Sequence, residues 1–108
     1  MNDIDETERE CPSCHRKFTL DTEALSIIMN IYLHPRMQTS RSWWEFYTTF
    51  CQECMEKAYP GDTSPFRRIK ERIDRDPSLK IILKQFGIKS IRQLEKISNK
   101  VKKMRSVG

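Results

Sequence analysis

Two Cys-x-x-Cys pairs contain all four cysteines of this 108-residue chain. The pairs are Cys11-Pro-Ser-Cys14 and Cys51-Gln-Glu-Cys54, and 36 residues separate them. Each short loop can present two sulfurs to one ion, and two such loops complete the tetrahedral shell that Zn²⁺ prefers. The spacing therefore predicts one Zn²⁺ bound by Cys11, Cys14, Cys51 and Cys54. Because four thiolates fill the shell, the predicted zinc is structural.

The cysteine pattern also allows other chemistry, which the rest of the sequence does not favour. Four thiolates can hold an iron–sulfur cluster. A single Cys-x-x-Cys can be a redox motif, but that motif belongs to a βαβ setting, and none is predicted before Cys11. His15 follows Cys14 directly, and we expect it to stay outside a shell that four sulfurs already fill. No catalytic constellation is found, so we predict that the chain is not an enzyme.

The composition is lean in core-forming residues, with 37% hydrophobic and 32% charged. A small domain of this kind often needs a metal to stabilise it. Residues 1–9 are acidic and nearly free of apolar side chains, so we predict that they are disordered. No apolar run is long enough to be a signal peptide or a membrane span, which favours an intracellular protein of the cytoplasm or nucleus, with no membrane partner.

Residues 10–60 are predicted to form the zinc-binding module. Phe18 and Leu20 indicate a short strand, and apolar spacing indicates a helix over residues 23–34 that ends before Pro35. The aromatic and threonine-rich stretch 43–50 alternates like a strand. A further helix is predicted to begin at Cys54.

This order of elements resembles a treble-clef zinc finger, on the strength of Cys11, Cys14, Cys51 and Cys54. The resemblance covers residues 11–59 and implies that the second cysteine pair lies at a helix N-terminus, where the helix dipole favours thiolates. The segment between the pairs is longer than in many members of that class.

Residues 64–105 are predicted to form a basic segment of three helices, giving the whole chain a mostly α, α+β fold. The first helix starts at Ser64-Pro65, the second follows Asp76-Pro77 and ends at Gly87, and the third starts at the capping box Ser90 to Gln93. Residues 61–108 carry fourteen Lys and Arg but five Asp and Glu, whereas residues 1–60 carry six and ten.

The last two helices loosely resemble a DNA-binding helix-turn-helix, in which the second helix enters the major groove. The candidate nucleic-acid-binding residues are of types that contact bases and phosphates: Arg92, Gln93, Lys96, Asn99, Lys100 and Lys103. A solvated cationic face on a packed helix would show the same pattern.

Two functions follow as hypotheses. The first is a zinc-binding accessory or transcription-regulatory factor that binds nucleic acid, DNA more readily than RNA, as a monomer or homodimer. The alternative is an adaptor that docks on a larger machine such as RNA polymerase without touching nucleic acid.

Overall fold

A computed structural model describes residues 6–61 and 64–105. Its α+β architecture, mostly helical, confirms the predicted fold class. The described residues form a two-stranded antiparallel sheet, six α-helices and one short 3₁₀ turn. In chain order the elements are β1 (Glu6–Glu10), β2 (Lys17–Asp21), α1 (Thr22–Tyr32), α2 (Arg41–Thr49), α3 (Gln52–Ala58), α4 (Pro65–Arg75), the 3₁₀ turn (Pro77–Leu79), α5 (Lys80–Gln85) and α6 (Ile91–Arg105).

The hairpin of β1 and β2 carries the first cysteine pair in its connection. Glu6 pairs with Asp21 and Glu10 pairs with Lys17. The prediction of disorder over residues 1–9 is therefore wrong for residues 6–9, and residues 1–5 lie outside the described residues. Residues 6–9 contain no apolar side chain. They are ordered by backbone hydrogen bonds to β2, and β2 is held in place by its buried Phe18 and Leu20.

The strand predicted over residues 43–50 is wrong, because residues 43–49 are helical and Phe50 is the C-cap of α2. Ser40 caps α2 by accepting a hydrogen bond from the amide of Trp43 at 3.1 Å. The buried positions 43, 44 and 47 follow a helical repeat and not the alternation of a strand. A short aromatic run is compatible with the repeat of a helix and with the alternation of a strand. Here the burial of one helical face decides the structure.

One hydrophobic core joins both halves of the chain. Its centre is a cluster of stacked aromatic rings from the end of α1 and from α2, with centroid distances of 5.2 to 5.5 Å. Apolar residues of α1, α4, α5 and α6 surround the cluster, and α6 also lies against β2. The C-terminal helical segment thus packs on the cysteine-bearing module. The four stacked residues are Tyr32, Trp43, Trp44 and Tyr47.

Helices α4 and α6 of the C-terminal segment begin where the sequence signals predict, whereas the segment after Asp76 begins as the 3₁₀ turn Pro77–Leu79 and becomes α-helical at Lys80. Ser64 caps α4, and Pro65 occupies its first turn. Gly87 adopts a φ of +77° after α5, a left-handed conformation that glycine takes without strain. Ser90 accepts a hydrogen bond from the amide of Gln93 at 3.1 Å at the start of α6.

Candidate metal centre

The four cysteines converge on one point of the structure. Their sulfur atoms all lie within 4.8 Å of one another, and the Sγ atoms of Cys14 and Cys51 are 3.6 Å apart. Tetrahedral coordination with metal–sulfur bonds of about 2.3 Å separates the sulfurs by about 3.8 Å. A disulfide would require about 2.05 Å, and all four cysteines are free. The arrangement therefore fits a single metal ion.

Local backbone structure shapes each cysteine pair. In the first pair the amide of Cys11 donates to the carbonyl of Arg16 at 2.9 Å, and the amide of His15 donates to the carbonyl of Cys11 at 2.8 Å. His15 turns the chain with a φ of 61°. In the second pair Cys51 is the N-cap of α3 and Cys54 lies in its first turn. The predicted placement of this pair at a helix N-terminus is confirmed.

The cluster is buried on one side and open on the other. Cys11 and Cys51 have exposures of 0% and 2%, whereas Cys14 is exposed and Cys54 is partly exposed. Buried sulfurs pack against Phe18 and Leu20 in a small apolar cluster. This packing gives a metal ion a fixed, water-excluding inner wall.

The thiols differ in their readiness to ionise. Burial raises the pKa of Cys11, but hydrogen bonds from the amides of Cys51, Cys14 and Ser13 outweigh it and lower that pKa to about 6. Burial raises the pKa of Cys54 to about 12 and also raises the pKa of Cys51. Four thiolates so close together need a cation between them, which is what a bound metal supplies.

Arg105 is a residue of this centre that sequence reasoning missed. It lies at the end of the basic helix α6, yet its side chain is only 2% exposed. Its guanidinium donates to the carbonyl of Tyr47, to the carbonyl of Phe50 at 2.9 Å and to Oε1 of Gln52 at 3.2 Å. These three acceptors come just before and just after Cys51. Arg105 therefore links the end of α6 to the second cysteine pair.

The charge of Arg105 also suits its position. Burial lowers the pKa of its guanidinium, and Coulombic interactions with the side chains of Tyr47, Cys51 and Cys11 oppose that effect. A tetrathiolate centre with a divalent ion carries a net charge of −2, so a buried cation beside it is electrostatically favourable. The sequence does contain a signal for the burial of Arg105, because helical spacing places it on the same face of α6 as Leu94 and Val101.

The histidines lie outside the sulfur cluster. The Nδ1 atom of His15 is 3.2 Å from Oε2 of Glu10 at an exposed position. The Nδ1 atom of His34 accepts a hydrogen bond from the amide of Arg36 at 3.2 Å. Both histidines thus have local structural roles next to loops.

The six candidate nucleic-acid residues of α6 separate into two groups. Arg92, Lys96, Asn99 and Lys103 are exposed and share the helix face opposite the buried Leu94. Gln93 and Lys100 form contacts within the protein. The Oε1 atom of Gln93 accepts the amide of Lys89 at 2.7 Å, and the Nζ atom of Lys100 lies 3.1 Å from Oδ2 of Asp21, which itself caps α1.

An apolar groove of about 550 Å³ lies beside the open side of the cysteine cluster. The rings of Phe46 and Phe50 stack at 4.2 Å, and Tyr59 packs edge-on against Phe46 at 5.4 Å. Both phenylalanines are partly exposed. The full lining is Ser13, Cys14, Phe46, Phe50, Cys54, Lys57 and Ala58.

None of the helices in residues 6–61 and 64–105 has the length and the apolar character that crossing a membrane requires. Comparison of the chain with models of known protein families, with curated proteins and with solved structures found no match in any of the three.

Proposed function

We propose that the four-cysteine centre binds one structural Zn²⁺. The support is the sulfur geometry, since four thiolates within 4.8 Å of one another suit tetrahedral coordination. A native mass measurement of the purified protein should show one zinc per chain, lost on treatment with a chelator. Iron with visible absorption bands would identify an iron–sulfur protein instead.

We further propose that the protein binds nucleic acid through the surface of α5 and α6. The observation that carries this proposal is the distribution of ion pairs. Seven cations lie within 4 Å of a carboxylate. Six of them precede α5, and the seventh, Lys100, is on α6 beside Asp21. The seven are Arg16, Lys17, Arg41, Lys57, Arg67, Lys70 and Lys100. Within the described residues, the exposed cations in no such ion pair are most numerous in the α5–α6 region, which holds six of them, whereas outside it lie the exposed Arg9, Arg36 and Arg75 and the partly exposed Arg72. The six are Lys80, Lys84, Lys89, Arg92, Lys96 and Lys103.

Cations without carboxylate partners give a surface a positive potential that attracts polyanions. On α6 the exposed cations form a stripe, which we call the α6 stripe and define as Arg92, Lys96 and Lys103, with Asn99 between them. A helix rises about 1.5 Å per residue, so the stripe extends over about 16 Å. A stripe of that length can contact several consecutive phosphates of a nucleic-acid strand. The opposite face of α6 stays in the core.

Binding should be measured by fluorescence anisotropy with duplex DNA, single-stranded DNA and RNA over a range of salt concentrations. Affinity should fall steeply with salt, because binding to phosphates releases counterions. The Lys96→Gln/Lys103→Gln variant should fold normally and show a salt slope shallower by about 0.7–0.9 for each phosphate that it no longer neutralises. Lys17→Gln/Lys57→Gln is the matched control, since both lysines are exposed but paired with carboxylates. Failure of all three nucleic acids to bind at low salt would end this proposal.

The proposed role is that of an accessory or transcription-regulatory factor and not of an enzyme. In it the metal would hold the scaffold and the α6 stripe would contact the nucleic acid, with DNA the expected ligand. A tetrathiolate site leaves no open coordination position for catalysis.

The groove beside Cys14 and Cys54 supports a second candidate, an adaptor that docks on a protein such as a component of the transcription machinery. Partly exposed, stacked Phe46 and Phe50 are of the type that protein interfaces use as anchors. A stoichiometric protein partner captured after nuclease treatment, and no longer captured by Phe50→Ser, would favour this function. A capture unchanged by Phe50→Ser would argue against the groove as its site.

A further inference from the structure

A cavity of about 270 Å³ lies in the turn between α5 and α6. Its volume is just below the range of about 300–1,000 Å³ that is typical of small-molecule sites, so it suits a single chemical group. Lys80 and Lys84 of α5 and Lys89 of the turn line it. All three side chains are exposed, and none lies near a carboxylate within the described part of the chain.

The apolar part of the cavity comes from the core. Leu83 and Ile88 are buried, with exposures of 3% and 2%, and Ile91 packs against the same core. Because these residues are fixed by packing, the concave shape is a feature of the fold. A ligand in this cavity would meet a rigid apolar wall below and three ammonium groups around it.

The charge of the cavity lining indicates the class of ligand. Lys80 and Lys84 are four residues apart on one helix, where like charges repel. Lys89 adds a third positive charge with no acid among the lining residues. A ligand with more than one negative charge would relieve this repulsion. A phosphomonoester meets the requirement, because it carries a charge of about −1.5 to −2 at neutral pH and three acceptor oxygens.

Shape distinguishes the cavity from the α6 stripe. A phosphodiester inside a strand continues on both sides and suits the convex stripe of Arg92, Lys96 and Lys103. A phosphomonoester is attached on one side only, so it can enter a concave site. The cavity lies at the N-terminal end of α6, the helix that carries the stripe.

We propose that this cavity binds the terminal phosphate of a nucleic-acid strand whose neighbouring phosphates contact the α6 stripe. The inference rests on the proposed nucleic-acid function and adds to it a site for strand ends. Lys80, Lys84 and Lys89 bind the phosphate oxygens, and the wall of Leu83, Ile88 and Ile91 contacts the adjoining sugar.

The test compares three single strands of identical sequence, with a 5′-phosphate, a 3′-phosphate or hydroxyl groups at both ends. The wild-type protein should bind one of the phosphorylated strands roughly five- to tenfold more tightly than the hydroxyl strand, the size expected of a few partly exposed ion pairs. Which strand gains affinity identifies the end that is bound. Lys84→Gln/Lys89→Gln should bind all three strands equally, and more weakly than the wild type binds the hydroxyl strand, because both lysines also belong to the positive α5–α6 surface.

The Lys96→Gln/Lys103→Gln variant is the control, since it should weaken binding of all three strands by a similar factor and keep the preference for the phosphorylated end. Equal binding of the three strands by the wild type would overturn the end site while leaving nucleic-acid binding intact. A preference that survives in Lys84→Gln/Lys89→Gln would also overturn it. Absence of binding to every single strand would overturn the end site, and absence of binding to duplex DNA as well would overturn the nucleic-acid function itself.

Discussion

The guanidinium of Arg105 lies 4.0 Å from the centre of the Tyr47 ring and donates a hydrogen bond to the carbonyl oxygen of the same residue. The Tyr47 ring is in turn stacked on Trp43 at 5.3 Å, with an interplanar angle of 8°. Arg68 lies 4.5 Å from the centre of the Trp43 ring. Cations from α4 and α6 thus pack on two stacked rings of α2. This arrangement joins the C-terminal helices to the segment that leads into Cys51.

Replacing Arg105 should destabilise the whole domain. In Arg105→Met the buried carbonyl of Tyr47 and the partly buried carbonyl of Phe50 lose their donor, which we expect to lower the free energy of unfolding by about 2–4 kcal/mol. Arg105→Lys keeps the charge but not the planar fork and should lose part of this amount. Urea unfolding of the metal-loaded protein measures both changes. The exposed Lys103→Met is the control and should change stability by less than about 0.5 kcal/mol. An Arg105→Met variant as stable as the wild type would show that the buried contacts are energetically neutral.

Metal removal should loosen α6 as well as the cysteine pairs. Arg105 contacts Phe50 and Gln52 on either side of Cys51, so disorder at Cys51 removes the acceptors that hold the end of α6. We expect a chelator to abolish hydrogen-exchange protection at residues 51–55 and 101–105 together. Cys51→Ser should have the same effect without a chelator. Full protection of residues 101–105 in the metal-free protein would show that the two regions are independent.

Metal binding should release protons and strengthen as pH rises. The raised pKa values of Cys51 and Cys54 keep both as thiols at pH 7, and each must lose its proton to bind a metal. The lowered pKa of Cys11, about 6, means that this sulfur is already largely a thiolate. We therefore expect at least two protons released per metal at pH 7. Calorimetry in buffers of different ionisation enthalpy measures that number, and a pH-independent affinity would contradict the assignment.

The turn between α5 and α6 should depend on Gly87. Its φ of +77° is strained for any residue with a Cβ atom, although an added Cβ would meet nothing within 4 Å. Gly87→Ala should therefore cost about 1 kcal/mol from backbone strain alone. Gly87→Asn should cost less, because asparagine tolerates this conformation better. Thermal unfolding measures the stability of these variants. Gln85→Ala, at an exposed position nearby, is the control that reports a change in helix propensity without a change at the strained backbone position.

Local signals in the sequence were sufficient for much of this fold. The Cys-x-x-Cys pairs predicted the cluster, Ser64-Pro65 predicted the start of α4, and Gly87 with Ser90 predicted the turn before α6. Each of these signals acts through a few neighbouring residues, by capping, by backbone conformation or by metal-ligand spacing. The stretch 43–50 had no such dominant local signal beyond Ser40, and it was predicted wrongly as a strand.

What the sequence determined by itself is the composition of the site: four cysteines with the spacing of metal ligands, and an excess of lysine and arginine after residue 61. Only the tertiary structure decided which cations are available to a partner. It buried Arg105 against Tyr47, paired Lys100 with Asp21 and left Lys96 exposed. The physical reason is that charge is a property of a residue, whereas burial and ion pairing depend on residues distant in the chain, which packing alone brings together.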